Sequence, residues 1–322
     1  MTDPTPPSAI TAAAVRTAAD RLDGYVRRTP TLYASTENGS ALALKAESLQ
    51  HTGSFKFRGA TNRILALPPG CPGVVAHSSG NHAQAVARAA RRAGVPCTVV
   101  MPDDAPTLKR QRTEGDGALV VEVGPDSAER AERAAQLAAE RGLVLVEPFD
   151  DPLVAAGQGT AALELLEDAG APIDRFYAPV SGGGLMAGCA AIIAERSPQT
   201  EIVGVEPENG DDTRRSLAAG ERRSVPPPHT IADGLRVRTP GALTFPVLQR
   251  TVARIETVTD GELRATVRWA ATHLRLVLEP SGAAALAVAR REGAVAPGAA
   301  AGVILSGGNV DPALLARILT PS

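Results

Sequence analysis

Short apolar runs alternate with amphipathic stretches along most of the chain. Brief runs rich in Val and Leu are typical of strands buried in a parallel sheet. The first such runs lie at 73–77, 97–101, 119–123 and 143–146. The stretches between them carry Ala or Leu at helical spacing among charged residues, which predicts helices at 81–93, 105–114 and 127–141.

The same alternation continues beyond Pro148. It predicts strands at 176–179, 202–205 and 302–305, and helices at 185–195 and 312–319. Strands that alternate with helices form parallel sheets covered by helices on both faces. We therefore predict an α/β protein, and its 322 residues favour two domains. The smaller domain is placed at 73–148, and the larger one is built from 1–72 and 149–322.

Composition narrows the class of protein. Aromatic residues make up 3% of the chain, so its core is expected to consist mostly of Ala, Val and Leu. A formal net charge of −2 gives no electrostatic reason to expect nucleic acid or an anionic membrane as a partner. The three cysteines (Cys71, Cys97 and Cys189) lack metal-ligand spacing, which suits a reducing compartment. Residues 1–7 lack signal-peptide features and no apolar run is long enough to span a membrane, so we expect a cytoplasmic protein.

The tract TGSFKFRG, at 52–59, places Lys56 between two phenylalanines. Poor solvation of an ammonium group lowers its pKa and frees its lone pair. Such a lysine can form a Schiff base with a carbonyl compound. The alternative is a surface lysine whose alkyl stem covers core aromatics. The tract by itself leaves both interpretations open.

The tract YAPVSGGGLMA, at 177–187, runs from a predicted strand through consecutive glycines into a predicted helix. Bare N–H groups at a helix N-terminus form an anion site, which favours a phosphate cradle over a turn without a ligand. Gly182, Gly184 and Ala187 also fit a dinucleotide fingerprint, with Glu206 placed 19 residues later as a ribose-binding acid. This alternative predicts a nicotinamide oxidoreductase, although the fingerprint normally follows the first strand of its domain.

Two further tracts place small polar residues after predicted strands. In HSSGNHAQA, at 77–85, Ser79 or Asn81 either caps the following helix or helps to bind a substrate carboxylate. In LSGGNV, at 305–310, the hydroxyl of Ser306 follows the carboxyl end of a strand, where open α/β sheets bind ligands. An ordinary polar turn is the alternative for this tract.

Taken together, these tracts resemble the fold-type II pyridoxal-phosphate (PLP) enzymes, in the branch of threonine dehydratase and serine racemase. The resemblance implies a tryptophan synthase β-like fold with an active site between two α/β domains. Ser181 departs from the pattern, since many relatives have a fourth glycine there. The ordered matches are SLQHTGSFKFRGA (48–60), HSSGNHAQA (77–85), EPFDDPLVAAGQGT (147–160), SGGGL (181–185), VGVEPENGDD (203–212), IADG (231–234), LEPSGA (278–283) and LSGGNVD (305–311).

The resemblance implies roles for individual residues. Lys56 would hold PLP as a Schiff base and remove the α-proton of the substrate, and Ser306 would face the ring nitrogen. Because a neutral hydroxyl does not force protonation of that nitrogen, elimination or reprotonation is favoured over transamination. The cofactor phosphate would bind to Gly182, Gly183, Gly184 and Leu185, and Asn81 would contact the phenolic oxygen. The substrate carboxylate would bind to Ser78, Ser79, Gly80, Asn81 and His82.

The resemblance also implies a metal site and an assembly. Glu206, Gly210 and Asp212 match a site of two carboxylates and one backbone carbonyl, and such oxygen ligands suit Mg²⁺ or Ca²⁺. The alternative is a solvated acidic loop. A homodimer is expected.

The reaction that the resemblance implies is β-elimination from L-threonine or L-serine, which yields 2-oxobutyrate or pyruvate and ammonia. Serine racemisation is the alternative, because Ser79 occupies the position of the second base in serine racemases. Dehydration of threo-3-hydroxyaspartate is a further alternative, since some hydroxyaspartate dehydratases share the SSGNH motif.

Overall fold

The fold is described from a computed structural model, which covers residues 9–36, 39–78, 80–105, 107–293 and 299–320. The strands are β1 Thr31–Ser35, β2 Ala41–Ala46, β3 Val74–His77, β4 Cys97–Pro102, β5 Leu119–Val123, β6 Val144–Leu145, β7 Ile173–Pro179, β8 Glu201–Pro207, β9 Arg254–Val258 and β10 Ala300–Leu305. The α-helices are α1 Ala12–Leu22, α2 Lys56–Leu65, α3 Asn81–Ala93, α4 Thr107–Gly115, α5 Ser127–Arg141, α6 Pro152–Asp168, α7 Gly184–Arg196, α8 Asp212–Ala219, α9 Phe245–Thr251, α10 Asp260–Trp269, α11 Pro280–Glu292 and α12 Pro312–Leu319. Short 3₁₀ turns lie at Glu47–Leu49 and Asp233–Leu235, and a π-helical turn lies at Ala270–Leu274.

The strands form two sheets. The larger has the order β1-β2-β10-β7-β8-β9, and its pairs are parallel except for β1 with β2. The smaller has the order β5-β4-β3-β6 and is parallel throughout. All four of its strands come from the segment between Val74 and Leu145, and the larger sheet is built from both flanks of that segment. The α/β prediction is therefore confirmed, while the domain boundaries at 73 and 148 stay a prediction.

Local sequence explains several helix boundaries. Asp151 caps α6, because its carboxylate accepts hydrogen bonds from the backbone N–H groups of Leu153 and Val154. Thr259 and Glu262 form a reciprocal capping box at the start of α10. Helices α3 and α5 each end at a glycine in the left-handed conformation, Gly94 and Gly142.

The core is assembled mostly from Ala, Val and Leu, as the composition predicts. Helices α6 and α7 pack so closely that a Cβ on Gly188 would lie 2.0 Å from the carbonyl oxygen of Ala155. Glycine at this point lets the two backbones meet beneath the larger sheet. None of the helices in the described residues is both long and apolar enough to cross a membrane.

Candidate active site

The carboxyl ends of β7 and β10 lie side by side, because these strands are parallel neighbours. The two glycine-containing loops that follow them therefore emerge at one edge of the larger sheet. Helix α2 begins at the same place: Ser54 bridges to Gly307, and the N–H of Phe55 donates to the carbonyl of Ser306 at 3.0 Å. Tertiary structure thus brings Lys56 and Ser306 together across most of the chain length.

Lys56 differs from the other two lysines of the sequence. Lys45 and Lys109 each form an ion pair, with Glu164 and Asp233 respectively, at 2.7 Å. The ammonium of Lys56 donates instead to the carbonyl oxygen of Pro148 at 2.6 Å, and no ion pair to it is formed within the described residues. Burial lowers the pKa of Lys56 to about 8. This lysine is accordingly the one best suited to react as a free amine near neutral pH.

The loop at 180–183 leads into α7 with uncapped backbone amides. Gly183 is the N-cap residue, has φ +92°, and provides no side-chain cap. A Cβ on Gly182 would lie 2.3 Å from the ring of Phe149, the residue after Pro148. The glycines therefore let the chain segment that contacts Lys56 pack directly against the loop. The first N–H groups of α7 stay available for an anion.

A second helix start faces the same region of the molecule. Helix α3 begins after Gly80, which again provides no side-chain cap. The N–H of Gly80 donates to the hydroxyl of Ser78 at 3.1 Å. His82 is buried, and its Nε2 bonds to the carbonyl of Val146 at 2.8 Å. Burial, with the charge of Lys56, lowers the pKa of His82 to about 3, so this imidazole is neutral. Ser79 lies outside the described residues.

Asn81 is held by two residues to which the sequence analysis gave no role. Its amide nitrogen donates to Glu279 at 2.6 Å, and its oxygen accepts from Asn309 at 2.8 Å. Glu279 is 3% exposed, and burial followed by the charge of Asp233 raises its pKa to about 7. Glu279 lies in the tract LEPSGA, at 278–283. An acid directly after an apolar run is the sequence signal that could have identified it as a site residue.

The three predicted metal ligands lie one strand further along the same edge, where β8 ends and α8 begins. The carboxylate of Glu206 accepts hydrogen bonds from the N–H groups of Thr213 and Arg214, both at 3.0 Å. Its oxygens are thus directed at the start of α8, which does not favour the ribose-binding alternative. Among the residues that the structure describes, none forms a hydrogen bond with one oxygen of the buried Asp212.

Two neighbouring buried acids give this loop the character of a cation site. Burial raises the pKa of Glu206 to about 7, and burial with the charge of Glu206 raises the pKa of Asp212 to about 8. A hard divalent ion would compensate both carboxylates. The residues present therefore fit Mg²⁺ or Ca²⁺, with the carbonyl of Gly210 as the third protein ligand. No group of three or more His, Cys, Asp or Glu side chains arranged for a metal occurs in the described part of the chain, so water would have to complete the shell.

A buried ionic cluster supports the helix that carries Lys56. The guanidinium of Arg58 is fully buried and bonds to Glu47 at 2.8 Å and to Glu164 at 2.6 Å. Thr29 donates to Glu47 at 2.6 Å. Lys45 adds its charge through its 2.7 Å contact with Glu164. The first turn of α2 is thereby joined to the end of β2 and to α6.

Residues 22–307 match the family model described as "Pyridoxal-phosphate dependent enzyme". The chain belongs to this family, which confirms the resemblance drawn from its motifs. An L-threo-3-hydroxyaspartate ammonia-lyase of Saccharomyces cerevisiae is 41% identical over 308 residues, 94% of each chain. The crystal structure of a T.th. threonine deaminase has a TM-score of 0.88 and 45% identity, covering 94% of this chain and 99% of its own. A serine racemase of maize has a TM-score of 0.89 and 36% identity, covering 96% of both.

The site fits the cofactor of this family. The amine of lowered pKa on Lys56 suits the attachment of an aldehyde, and the uncapped start of α7 suits a phosphate dianion. Lys56 and the start of α7 both lie where parallel strands end. The segment Pro148–Phe149 joins them, because Pro148 accepts the hydrogen bond from Lys56 and the ring of Phe149 packs against Gly182. The nicotinamide alternative explains none of these contacts to Lys56.

Proposed function

We propose that the chain is a PLP-dependent ammonia-lyase that eliminates water from hydroxy amino acids, giving an enamine product that water then hydrolyses to a keto acid and ammonia. The single observation that carries this proposal is the state of Lys56: half-buried, of lowered pKa, and bonded to a carbonyl rather than to a carboxylate. L-Threonine and L-serine are the substrates first expected, and 3-hydroxyaspartate is supported by the name of the yeast relative. The name of the T.th. relative supports L-threonine.

The chain's own residues divide the work of such an elimination. Lys56 would hold the cofactor, and its free amine would take the proton from the substrate α-carbon. The amides of Gly182, Gly183, Gly184 and Leu185 bind the phosphate, and Asn81 and Ser306 orient the ring. The loop of Ser78, Ser79, Gly80, Asn81 and His82 binds the α-carboxylate. When bound, the cofactor supplies the electron sink for the charge that deprotonation leaves at the α-carbon.

Serine racemisation is a second candidate, supported by the similarity to the maize enzyme. It requires a proton donor on the face opposite Lys56, and Ser79 is the residue that we propose for it. A divalent cation bound by Glu206, Gly210 and Asp212 and a homodimeric assembly are also part of the proposal. So are the division into domains at 73 and 148 and a location in the cytoplasm.

The decisive experiment is a turnover assay of the holoenzyme with L-threonine, L-serine, D-serine and threo-3-hydroxyaspartate, with ammonia and keto acid measured as products. Lys56→Ala is expected to lose several orders of magnitude in turnover and the visible absorbance of the bound cofactor, because covalent attachment and the base disappear together. Lys56→Arg is the matched control, since it keeps the positive charge but cannot anchor the cofactor. Appreciable turnover in either variant would contradict the assignment.

A further inference from the structure

Lys109 extends from α4, beside the smaller sheet, to the larger part of the molecule. Its Nζ lies 2.7 Å from a carboxylate oxygen of Asp233, which belongs to the 3₁₀ turn at Asp233–Leu235. The same Nζ lies 3.9 Å from the point that a Cβ on Gly80 would occupy. Gly80 is in the loop proposed to bind the substrate α-carboxylate. Lys109 therefore places a cation directly over that loop.

The charge of Lys109 also acts on Glu279, the buried acid beside the loop. Glu279, which bonds to Asn81, has its pKa raised by burial and by the charge of Asp233, and lowered by the charge of Lys109. Lys109 and Asp233 thus lie within electrostatic range of Glu279, which bonds to Asn81 in the proposed carboxylate site. If a substrate bound at this carboxylate site carried a second negative group, that group would lie close to the charges of Lys109 and Asp233.

The two partners of the ion pair are unequally solvated. The side chain of Lys109 is 21% exposed and that of Asp233 is 43% exposed. Releasing Asp233 leaves a carboxylate that water can hydrate, and pairs exposed to this degree contribute little to stability. Releasing Lys109 without a replacement is less favourable, because its side chain is the less exposed of the two. A substrate carboxylate can therefore replace Asp233 as the partner of Lys109 with little loss of stability.

We propose that Lys109 determines specificity by binding the second carboxylate of a dicarboxylic hydroxy amino acid, of which 3-hydroxyaspartate is the simplest. This inference rests on the proposed function. The α- and β-carboxylates of such a substrate are separated by two carbon atoms, so a cation over the α-carboxylate loop is within reach of the second group. Asp233 is the internal competitor that holds Lys109 in place when a neutral substrate such as L-serine is bound.

The test compares substrates that differ in the second carboxylate. In the holoenzyme, Lys109→Met is expected to lower the ratio of kcat/KM for L-threo-3-hydroxyaspartate to that for L-serine by about tenfold or more, since a charge-assisted hydrogen bond is lost. The loss should fall on KM, and Lys109→Arg should restore most of the ratio. Asp233→Asn should change the ratio in the opposite direction by removing the competitor, a result that a purely structural ion pair would not give.

The matched control is Arg110→Met. Arg110 is the neighbouring cation on α4 and pairs with Glu114 and Glu122, so its loss removes the same charge without affecting the proposed contact. The ratio is expected to stay unchanged in this variant. A ratio unchanged in Lys109→Met, or lowered equally in Arg110→Met, would overturn the inference.

A binding measurement separates this inference from the proposed function. L-Aspartate and L-alanine lack a β-hydroxyl to eliminate, and their binding is measured calorimetrically. Lys109→Met should weaken the binding of L-aspartate relative to L-alanine. If the wild type eliminates no hydroxy amino acid, the proposed function fails while the L-aspartate comparison still decides on Lys109. If it eliminates L-serine but shows no preference for L-aspartate over L-alanine that depends on Lys109, the inference alone fails.

Discussion

Arg58 is the charged residue whose removal should destabilise the fold most, because both of its acidic partners are enclosed. In Arg58→Met the methionine fills most of the apolar space, while the carboxylates of Glu47 and Glu164 lose the guanidinium. Glu164 keeps its contact with Lys45. Glu47, with no exposed surface, keeps the hydroxyl of Thr29 and is the group left without an ion-pair partner.

The magnitude follows from this geometry. Removing one partner of a buried ion pair costs about 3–5 kcal/mol of unfolding free energy, because an uncompensated charge is left inside the protein. Lys45 remains close to both acids, so we expect a value near the lower end, about 3 kcal/mol. Arg63→Met is the control on the same helix. Arg63 makes a single ion pair, with Asp151 at 2.9 Å, and its loss should cost less than that of Arg58, because Asp151 keeps hydrogen bonds from the backbone N–H groups of Leu153 and Val154.

The pH dependence carries a second signature. Burial alone would raise the pKa of Glu47, but the charge and hydrogen bonds of Arg58 outweigh it and hold the pKa below its usual value. In the wild type this contribution to stability is present above the pKa of the unfolded chain and is lost as the pH falls through the lower folded-state pKa. Without Arg58, burial raises the pKa of Glu47 instead. Protonation of Glu47 then removes the buried charge and restores part of the stability of the variant. The difference in unfolding free energy between the two proteins should be largest at neutral to alkaline pH and shrink as the pH falls and Glu47 of the variant takes up a proton.

The assay is urea unfolding followed by far-UV circular dichroism and by the fluorescence of Trp269, the single tryptophan. Midpoints are compared at several pH values, with a constant slope as the check that the unfolded state is unchanged. Arg58→Met combined with Glu47→Gln should regain part of the lost stability. The reasoning is refuted if Arg58→Met is no less stable than Arg63→Met, or if its deficit is the same at pH 8 and pH 5.

Two further predictions concern the metal and the stereochemistry. Mg²⁺ or Ca²⁺ should raise the melting temperature of the wild type but not of Glu206→Ala. The reason is that a ligand that binds the native state stabilises it by RT ln(1 + [L]/Kd). Equal shifts in both proteins would mean that the acidic loop binds no ion. Ser79→Ala should abolish D-serine formation from L-serine while sparing much of the pyruvate formation, since elimination begins with Lys56 alone. D-Serine that persists at an unchanged ratio to pyruvate would exclude Ser79 as the second base.

The periodicity of apolar residues was sufficient to predict the bounds of several strands and helices that follow the strand–helix alternation. The predicted bounds 81–93, 119–123, 127–141 and 312–319 coincide with α3, β5, α5 and α12. The alternation did not reveal β1 and β2, which pair antiparallel at one edge of the larger sheet. Helix α6 was also missed, because it is buried nearly all round and shows no polar face.

The candidate site divides in the same way. The sequence by itself determined which residues are chemically distinctive: a lysine between phenylalanines, glycines between a strand and a helix, and two acids around Gly210. These are local signals, because backbone freedom and solvation depend mainly on near neighbours. Tertiary structure decided which of them meet. Asn81 contacts Glu279 from 198 residues away, and Asn309 contacts Asn81 from 228 residues away. Such contacts arise because the loop after β3 of the smaller sheet meets residues beside β10 of the larger sheet, and that arrangement is set by the packing of the whole core rather than by any local pattern.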